Sequence, residues 1–336
     1  MTVVQKKREK IDLLALIDCC ISLTAEKKRD CGEDSEKHSF NIDEAFFSVF
    51  DGCGGAGAQP CPKYHGKTEA YIASRVVADS FQDWFENREE TTVRDADTLK
   101  ELVVRYLNEC NKLVGEKSLL VGGIKKKFPT TAAAGICQLG KDSVEVDFYW
   151  AGDSRVYLLN DQGLAQLTED DLGGIDAMEN LTDDGVLTNV INLSKDFTIH
   201  TGHISMDRPG IVFAATDGCF GYLSTPMEFE FLLLKTMLEA DYISSSPGRD
   251  TDAGTGKKGW QEKLTEVIGK IAGDDYTLSG YAIGFGSFEG MKKQFVPRAN
   301  YLYSNYISEL ENKSYEEKIA LWDKYRDNYQ RLLCRG

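Results

Sequence analysis

The chain alternates between apolar runs that stop abruptly and longer stripes in which apolar residues recur every three or four positions. Residues 13–24 and 44–50 are rich in Ile, Leu, Val and Phe and predict strands, with the polar stretch EKKRDCGEDSEKHSF between them. Two helical stripes follow. Ala73, Val77, Phe81 and Trp84 share one face; Leu99, Leu102, Val103, Tyr106, Cys110 and Leu113 form a longer one. Strand patterns resume in TAAAGICQL, in SVEVDFYW, where Val144, Val146, Phe148 and Trp150 alternate, and in RVYLLN. NDQG, between RVYLLN and LAQLT, predicts a hairpin turn. Residues 169–195 are acidic and weakly periodic, and read as a long loop with one short helix. FTIHTGHI and IVFAAT then predict strands, PMEFEFLLLKTMLEA a helix, SSSPGRDTDAGTGKKG a flexible loop, WQEKLTEVIGKIAG a helix and YTLSGYAIGF a last strand.

Helices thus come in pairs between groups of strands, which is not the strand–helix–strand alternation of a parallel doubly wound sheet. The order predicts an α+β protein of mostly antiparallel sheets with helices on their outer faces. The tail from about residue 290 differs. SYEEKIALWDKYRDNYQRLL opens with Ser314 and Glu317 at capping-box spacing, and Ile319, Trp322, Tyr325 or Arg326, and Tyr329 fall near one face. A helix docked on its own domain is the plainer reading; a helix that binds a partner or dimerises is the alternative.

Composition narrows the function. A chain of 336 residues has room for one large core or two modest ones. A net charge of -15 disfavours nucleic acid or an anionic membrane as the main partner and leaves room for cation sites. No apolar run approaches the roughly 20 residues of a membrane span. KKREK followed by LLALI faintly resembles a signal peptide, but the run is short and bracketed by Asp12 and Asp18. The nine cysteines are scattered without metal-like spacing, apart from the adjacent Cys19 and Cys20, and point to reduced thiols in the cytoplasm.

The candidate chemistry lies where apolar strands end. FFSVF runs into Asp51 and then Gly-Cys-Gly-Gly; IVFAAT runs into Asp217-Gly218; FYWA runs into Gly152-Asp153; and Asp274 stands just before the last strand. One such acid is ordinarily a turn residue. Several in the same layout can converge at one edge of a sheet stack, where they would take up protons unless a cation neutralised them. Oxygen donors without a His or Cys set favour Mg²⁺ or Mn²⁺. Gly52 is read as permitting an unusual backbone angle with its carbonyl toward an ion, and Gly54 and Gly55 as letting the chain turn away.

The ordered series RDCGED, FFSVFDGCGG, PTTAAAG, AGDSRVYLL, LTEDD, FAATDG and GDDYTLSGYAIGF resembles the metal-dependent Ser/Thr protein phosphatases of the 2C type, in their bacterial form, over about residues 12 to 286. Each motif alone is weak; the order is what is specific. The resemblance implies a four-layer αββα sandwich: two stacked antiparallel β-sheets flanked by paired α-helices, with a binuclear centre of Mn²⁺ or Mg²⁺ at one end. It implies a catalytic domain over 1–289 with a flap around 169–195, and a C-terminal helical extension over 290–336. By the same resemblance Asp51 bridges both ions, Asp217 and Asp274 complete the first, and Glu33 and the Gly52 carbonyl serve the second. Asp34 holds a metal water, Arg29 grips the substrate phosphate, and Asp153 with Asp217 forms a third, weaker metal site. The implied reaction is hydrolysis of phosphoserine and phosphothreonine by in-line attack of a metal-bridging hydroxide. Phosphorylated proteins, including a Ser/Thr kinase or its targets, are the implied partners, with no nucleic acid and no membrane. A catalytically inactive phosphatase-fold binding or regulatory protein is the alternative.

The chain departs from the family's pattern in places. Cys53 stands where many eukaryotic members carry His and bacterial ones Met, which leaves a general acid unassigned; His65 is close in sequence but reads as a solvated loop residue. Cys53 is read as a small filler, or more sharply as a redox-sensitive thiol beside the metals. Asp274-Asp275 replaces the usual Asp-Asn, so Asp275 adds negative charge, and LTEDD ends in Asp171 where His is frequent. The acidic flap is expected to help choose substrates and to disfavour strongly acidic phosphopeptides.

Overall fold

The computed structural model describes residues 12–87, 95–114, 127–174, 176–181, 185–243 and 258–336. Twelve strands occur in the described residues: β1 (Ile17–Ala25), β2 (Ser35–Phe40), β3 (Glu44–Phe50), the short pair β4 (Pro60–Cys61) and β5 (Lys67–Thr68), β6 (Ala132–Leu139), β7 (Val144–Ala151), β8 (Arg155–Asn160), β9 (Gly163–Gln166), β10 (His200–Met206), β11 (Gly210–Ala215) and β12 (Tyr276–Ile283). The helices are α1 (Gly54–Gly57), α2 (Glu69–Glu86), α3 (Ala96–Val114), α4 (Pro226–Glu239), α5 (Trp260–Ile271), α6 (Phe288–Leu302) and α7 (Tyr315–Tyr329). One sheet runs β1-β12-β11-β8-β9 and the other β10-β7-β6-β3-β2, and every pairing within them is antiparallel.

The two sheets stack through Phe47, Val49, Val146, Phe148 and Trp150 of one, against Val156, Leu158, Val212 and Tyr281 of the other. The outer face of the β3-containing sheet is covered by α2 and α3 through Phe46, Phe50, Val77, Phe81, Leu99 and Val103. The outer face of the β1-containing sheet is covered by α4, α5, α6 and α7. This is the expected four-layer α+β sandwich. It explains why EAFFSVF reads as a continuous apolar run: β3 is covered on both faces, so alternation disappears.

Several boundaries moved for local reasons. The run 13–24 is strand only from Ile17; Leu13 to Leu16 form a turn in which the Asp12 carboxylate accepts the Ala15 N–H at 2.8 Å. The polar stretch 26–40 contains β2, which pairs on one side only and is half-buried from Ser35 to Ser39 with Phe40 exposed, so it shows no apolar alternation. NDQG is a two-residue hairpin with Asn160 opposite Gly163, whose φ of +105° needs glycine. The predicted loop SSSPGRDTDAGTGKKG lies almost wholly outside the described residues.

The tail joins the same core. α6 was not legible, and the 289/290 boundary falls inside it. α7 starts at the expected Ser314–Glu317 capping box. Its Trp322, Tyr325 and Tyr329 are buried. Beneath it, Arg298 forks onto the fully buried Glu230 at 2.6 and 2.9 Å, and Tyr325 donates its hydroxyl to the same carboxylate. Removing either ionic partner would strand a buried charge, so this pair fixes how α4, α6 and α7 sit together.

Candidate active site

Five acids from separate strand ends meet at one end of the sandwich. At the end of β3 the Asp51 carbonyl accepts the Thr131 N–H at 2.8 Å and the Thr130 hydroxyl at 2.7 Å, which fixes where the carboxylate starts. At the β7–β8 corner, Gly152 adopts φ +99° and donates its N–H to the Asp171 carboxylate at 2.8 Å, turning the chain so that Asp153 follows. After β11 the chain closes a 3₁₀ turn, with the Phe220 and Gly221 N–H groups on the Asp217 carbonyl at 2.9 and 2.6 Å. A Cβ on Gly218 would collide with the carbonyl of Asp275, so the missing side chain brings Asp217 beside Asp274. Asp34, 4% exposed, accepts the Thr216 hydroxyl at 2.8 Å and so ties β2 to β11.

The glycines act through space. Gly52 is not in the left-handed region; a Cβ there would meet the backbone carbonyl of Ala70, so the expected unusual angle gives way to close packing of α2 against the strand end. Gly54 leaves the room occupied by the Glu33 carboxylate, while Gly55 faces open space. Glu33 also accepts the Thr68 hydroxyl, from the residue that caps α2.

The acids raise one another's proton affinity. Asp51 is pushed well above the ordinary carboxylate range by burial and then by Asp34, Asp217, Asp153 and Asp274. Burial, with Asp217 and Asp170, raises Asp153 to about 8. Burial, with Asp217 and Asp275, raises Asp34 to about 7 against hydrogen bonds from Thr216 and Thr277. Asp217 rises to about 6, by burial and Asp274, opposed by the Gly218 N–H and Arg155. Glu33 is raised by burial, with Asp275 and Asp274 adding to it.

This is the electrostatic state expected of oxygen ligands. Asp153 adds a direct sign: its buried Oδ1 has no hydrogen-bond partner. A hard cation would satisfy that oxygen and remove the repulsion. Among the described residues no three His, Cys, Asp or Glu side chains close into a ready coordination shell. The acids are neighbours that sense each other's charge, and the donor chemistry fits Mg²⁺ or Mn²⁺.

Arg29 is not among them. It lies on the loop before Glu33, 95% exposed, 3.7 Å from Asp30. His65 is exposed, in a left-handed turn between β4 and β5, and Cys53 is half-buried at the start of α1.

Other residues of the site escaped the sequence reading. Asp275, expected to add charge and alter metal affinity, accepts the Lys27 and Glu33 N–H groups, each at 2.7 Å, and fastens the Arg29–Glu33 loop to the Asp274 turn. Arg155, buried beside Asp153, forks onto Asp170 at 2.8 and 2.6 Å. Asp171, in the position where His was usual, holds the Gly152 N–H and lies 3.0 Å from His200. Arg75 donates to the Gly32 carbonyl at 3.1 Å and lies 3.5 Å over the Tyr71 ring. The motifs AGDSR and LTEDD contained the signal for Arg155 and Asp170; the cross-chain partners did not show.

The flap is anchored at several points. Thr188 bonds to the Asp171 carbonyl, Ile191 pairs with Thr130, and Trp322 of α7 donates to Asp176 at 2.8 Å. Among the described residues of the flap, Asp170, Asp171 and Asp176 are engaged internally.

No family model and no curated protein matches the chain. Solved structures do match in fold. The serine/threonine phosphatase Stp1 from Staphylococcus aureus aligns at TM-score 0.55 and 15% identity, over 83% of this chain and 99% of that one. The PPM Ser-Thr phosphatase MsPP from Mycobacterium smegmatis, in complex with cacodylate, aligns at 0.51 and 15%, over 80% and 100%. A bacterial serine phosphatase aligns at 0.52 and 17%, over 79% and 97%. The chain therefore has the fold of the bacterial PPM, or 2C-type, Ser/Thr phosphatases, as its motifs led one to expect. No helix among the described residues is long and apolar enough to cross a membrane.

Proposed function

We propose that this chain is a cytoplasmic Mg²⁺/Mn²⁺-dependent protein Ser/Thr phosphatase acting on phosphoserine and phosphothreonine of phosphorylated proteins, including a Ser/Thr kinase or its targets. The observation that carries the reading is the convergence of Asp51, Asp153, Asp217, Asp274 and Asp34 from separate strand ends, with a buried carboxylate oxygen of Asp153 left unpartnered. When bound, the cations would supply acidification of a water and neutralisation of phosphoryl charge.

The residues have distinct tasks in this account. Asp51 would lie between two ions, with Asp217 and Asp274 completing one and Glu33 and the Gly52 carbonyl the other. Asp153, with Asp217, would offer a third, weaker position. Asp34, held by Thr216, would hold a metal-associated water by a hydrogen bond. Arg29, on its exposed loop, would close onto the substrate phosphate and meet charge that grows on its oxygens. The catalytic unit assigned to 1–289, with its flap around 169–195, would continue without a break through α6 into the 290–336 helical extension, which packs on the same core.

The test is hydrolysis of p-nitrophenyl phosphate and a phosphothreonine peptide with Mn²⁺, with and without EDTA, beside a nucleotide panel. Mn²⁺-dependent release of phosphate from the peptide supports the reading. A folded protein inert toward every phosphoester overturns it in favour of a binding protein that retains the fold.

A further inference from the structure

Asp171 stands at the base of the flap, and its hydrogen bonds run in separate directions. Toward the β7–β8 corner, its N–H donates to the Gly152 carbonyl at 3.0 Å and its Oδ2 accepts the Gly152 N–H at 2.8 Å. Both backbone polar groups of the residue before Asp153 are thereby engaged. Toward the return arm of the flap, the Asp171 carbonyl accepts the Thr188 N–H at 2.9 Å, and Oδ2 accepts the Asn189 side-chain amide at 2.7 Å. Toward β10, Oδ1 lies 3.0 Å from His200 Nε2. A carboxylate only accepts, so Nε2 carries the hydrogen. His200 thus fixes the rotation of the carboxylate, which keeps Oδ2 on Gly152 and Asn189. The ring is itself held, 5.0 Å from that of Trp150, its cross-strand partner, and Trp150 donates to the Glu169 carbonyl at 2.8 Å.

The return arm leads on to a second acid. Ile191 exchanges both backbone hydrogen bonds with Thr130, each at 3.0 Å, and the Thr130 hydroxyl donates to the Asp51 carbonyl at 2.7 Å. Residues 188–191 therefore tie the backbone beside Asp153 to the backbone at Asp51.

We infer that Asp171 and His200 are positioning residues: they clasp the return arm of the flap to the β7–β8 corner and so set where Asp51 and Asp153 stand for cation uptake. The inference deepens the phosphatase reading and rests on it for the cation. Asp153 is among the charges that raise Asp51, so the two acids repel and their backbones must be held if the donors are to be in place when an ion arrives. The clasp also accounts for a departure from the family's pattern. LTEDD carries Asp171 where His is frequent, and here the imidazole comes from β10 instead.

The test compares His200→Ala and His200→Gln with the parent full chain, because the Gln amide can return a donor to Asp171 Oδ1. Amide hydrogen exchange of the EDTA-stripped proteins, resolved by mass spectrometry, reads the clasp, and calorimetry reads Mn²⁺ affinity. In His200→Ala the segments around Gly152 and 188–191 should exchange roughly tenfold faster, with α2 and α5 at parental rates. Its dissociation constant for Mn²⁺ should rise on the order of tenfold, as when a residue that orients a ligand is lost. His200→Gln should restore most of both, which a ring needed only for packing on Trp150 would not allow. Should His200→Ala unfold, Asn189→Ala removes the donor on Oδ2 and should give the same pair of effects. Parental exchange at both segments, a Gln variant as impaired as the Ala variant, or faster exchange with unchanged Mn²⁺ affinity would each overturn the inference. A folded parent that takes up no Mn²⁺ would count against the phosphatase reading, and the clasp would then be decided by the exchange result alone.

Discussion

Asp217→Asn should stabilise the metal-free protein at pH 8 while abolishing metal-dependent turnover. In the folded chain the Asp217 carboxyl rises from 3.8 to about 6, chiefly through burial and Asp274. Keeping it ionised in the fold then costs about 3 kcal/mol, at about 1.4 kcal/mol per tenfold change in proton affinity. Its neighbours titrate with it, so a gain of about 1–3 kcal/mol is the realistic range. Asparagine removes the charge and keeps an oxygen to accept the Gly218 N–H. Because the folded value lies above the unfolded one, the cost is fully present above about pH 6 and fades as pH falls toward 3.8. Urea unfolding in EDTA at pH 8 and pH 4 measures both limits. The variant should be more stable at pH 8 and nearly equal to the parent at pH 4. Added Mn²⁺ should reverse the order, since an ion at a hundred times its dissociation constant contributes about 2.7 kcal/mol to the parent alone. A variant less stable than the parent at pH 8 without metal would refute the claim that these acids repel one another.

Other perturbations separate the supporting residues from the ligands. Asp275→Asn leaves one good acceptor for the two N–H groups of Lys27 and Glu33, and should cost about 1–2 kcal/mol in urea unfolding and raise the KM for Mn²⁺. Arg29→Ala should raise KM for phosphopeptide and lower kcat while leaving the melting temperature within about 1 °C, because the side chain is exposed. Glu230→Gln strands the buried Arg298 and should destabilise by about 3 kcal/mol, read as a loss of the cooperative melt that includes α7.

The parts of the fold legible in the sequence are those where one force dominates. β3, β8 and β11 are apolar because both faces are covered, and α2 and α3 carry clear stripes because one face packs on the sheet. The acids at strand ends were visible because each interrupts such a run. β2 was not, because an edge strand whose side chains join a polar inter-sheet cluster of Ser22, Glu36, His38 and Ser279 has no apolar rhythm. α6 was hidden by Pro297 within it and by a weak stripe. The roles of Asp275 and Arg155 could not be read at all. Asp275 bonds to residues more than 240 positions away, and Arg155 to an acid on the flap base and to Tyr329 at the far end of the chain.

The central claim is that this carboxylate cluster takes up hard divalent cations through Asp51. Calorimetric titration of the EDTA-stripped, dialysed chain with Mn²⁺ at pH 7.5 tests it most directly. The account predicts uptake of about two ions per chain, with proton release as the raised carboxyls ionise, and loss of at least one ion in Asp51→Asn. A folded parent that takes up no Mn²⁺ or Mg²⁺, or an Asp51→Asn variant that binds both ions as the parent does, would contradict it.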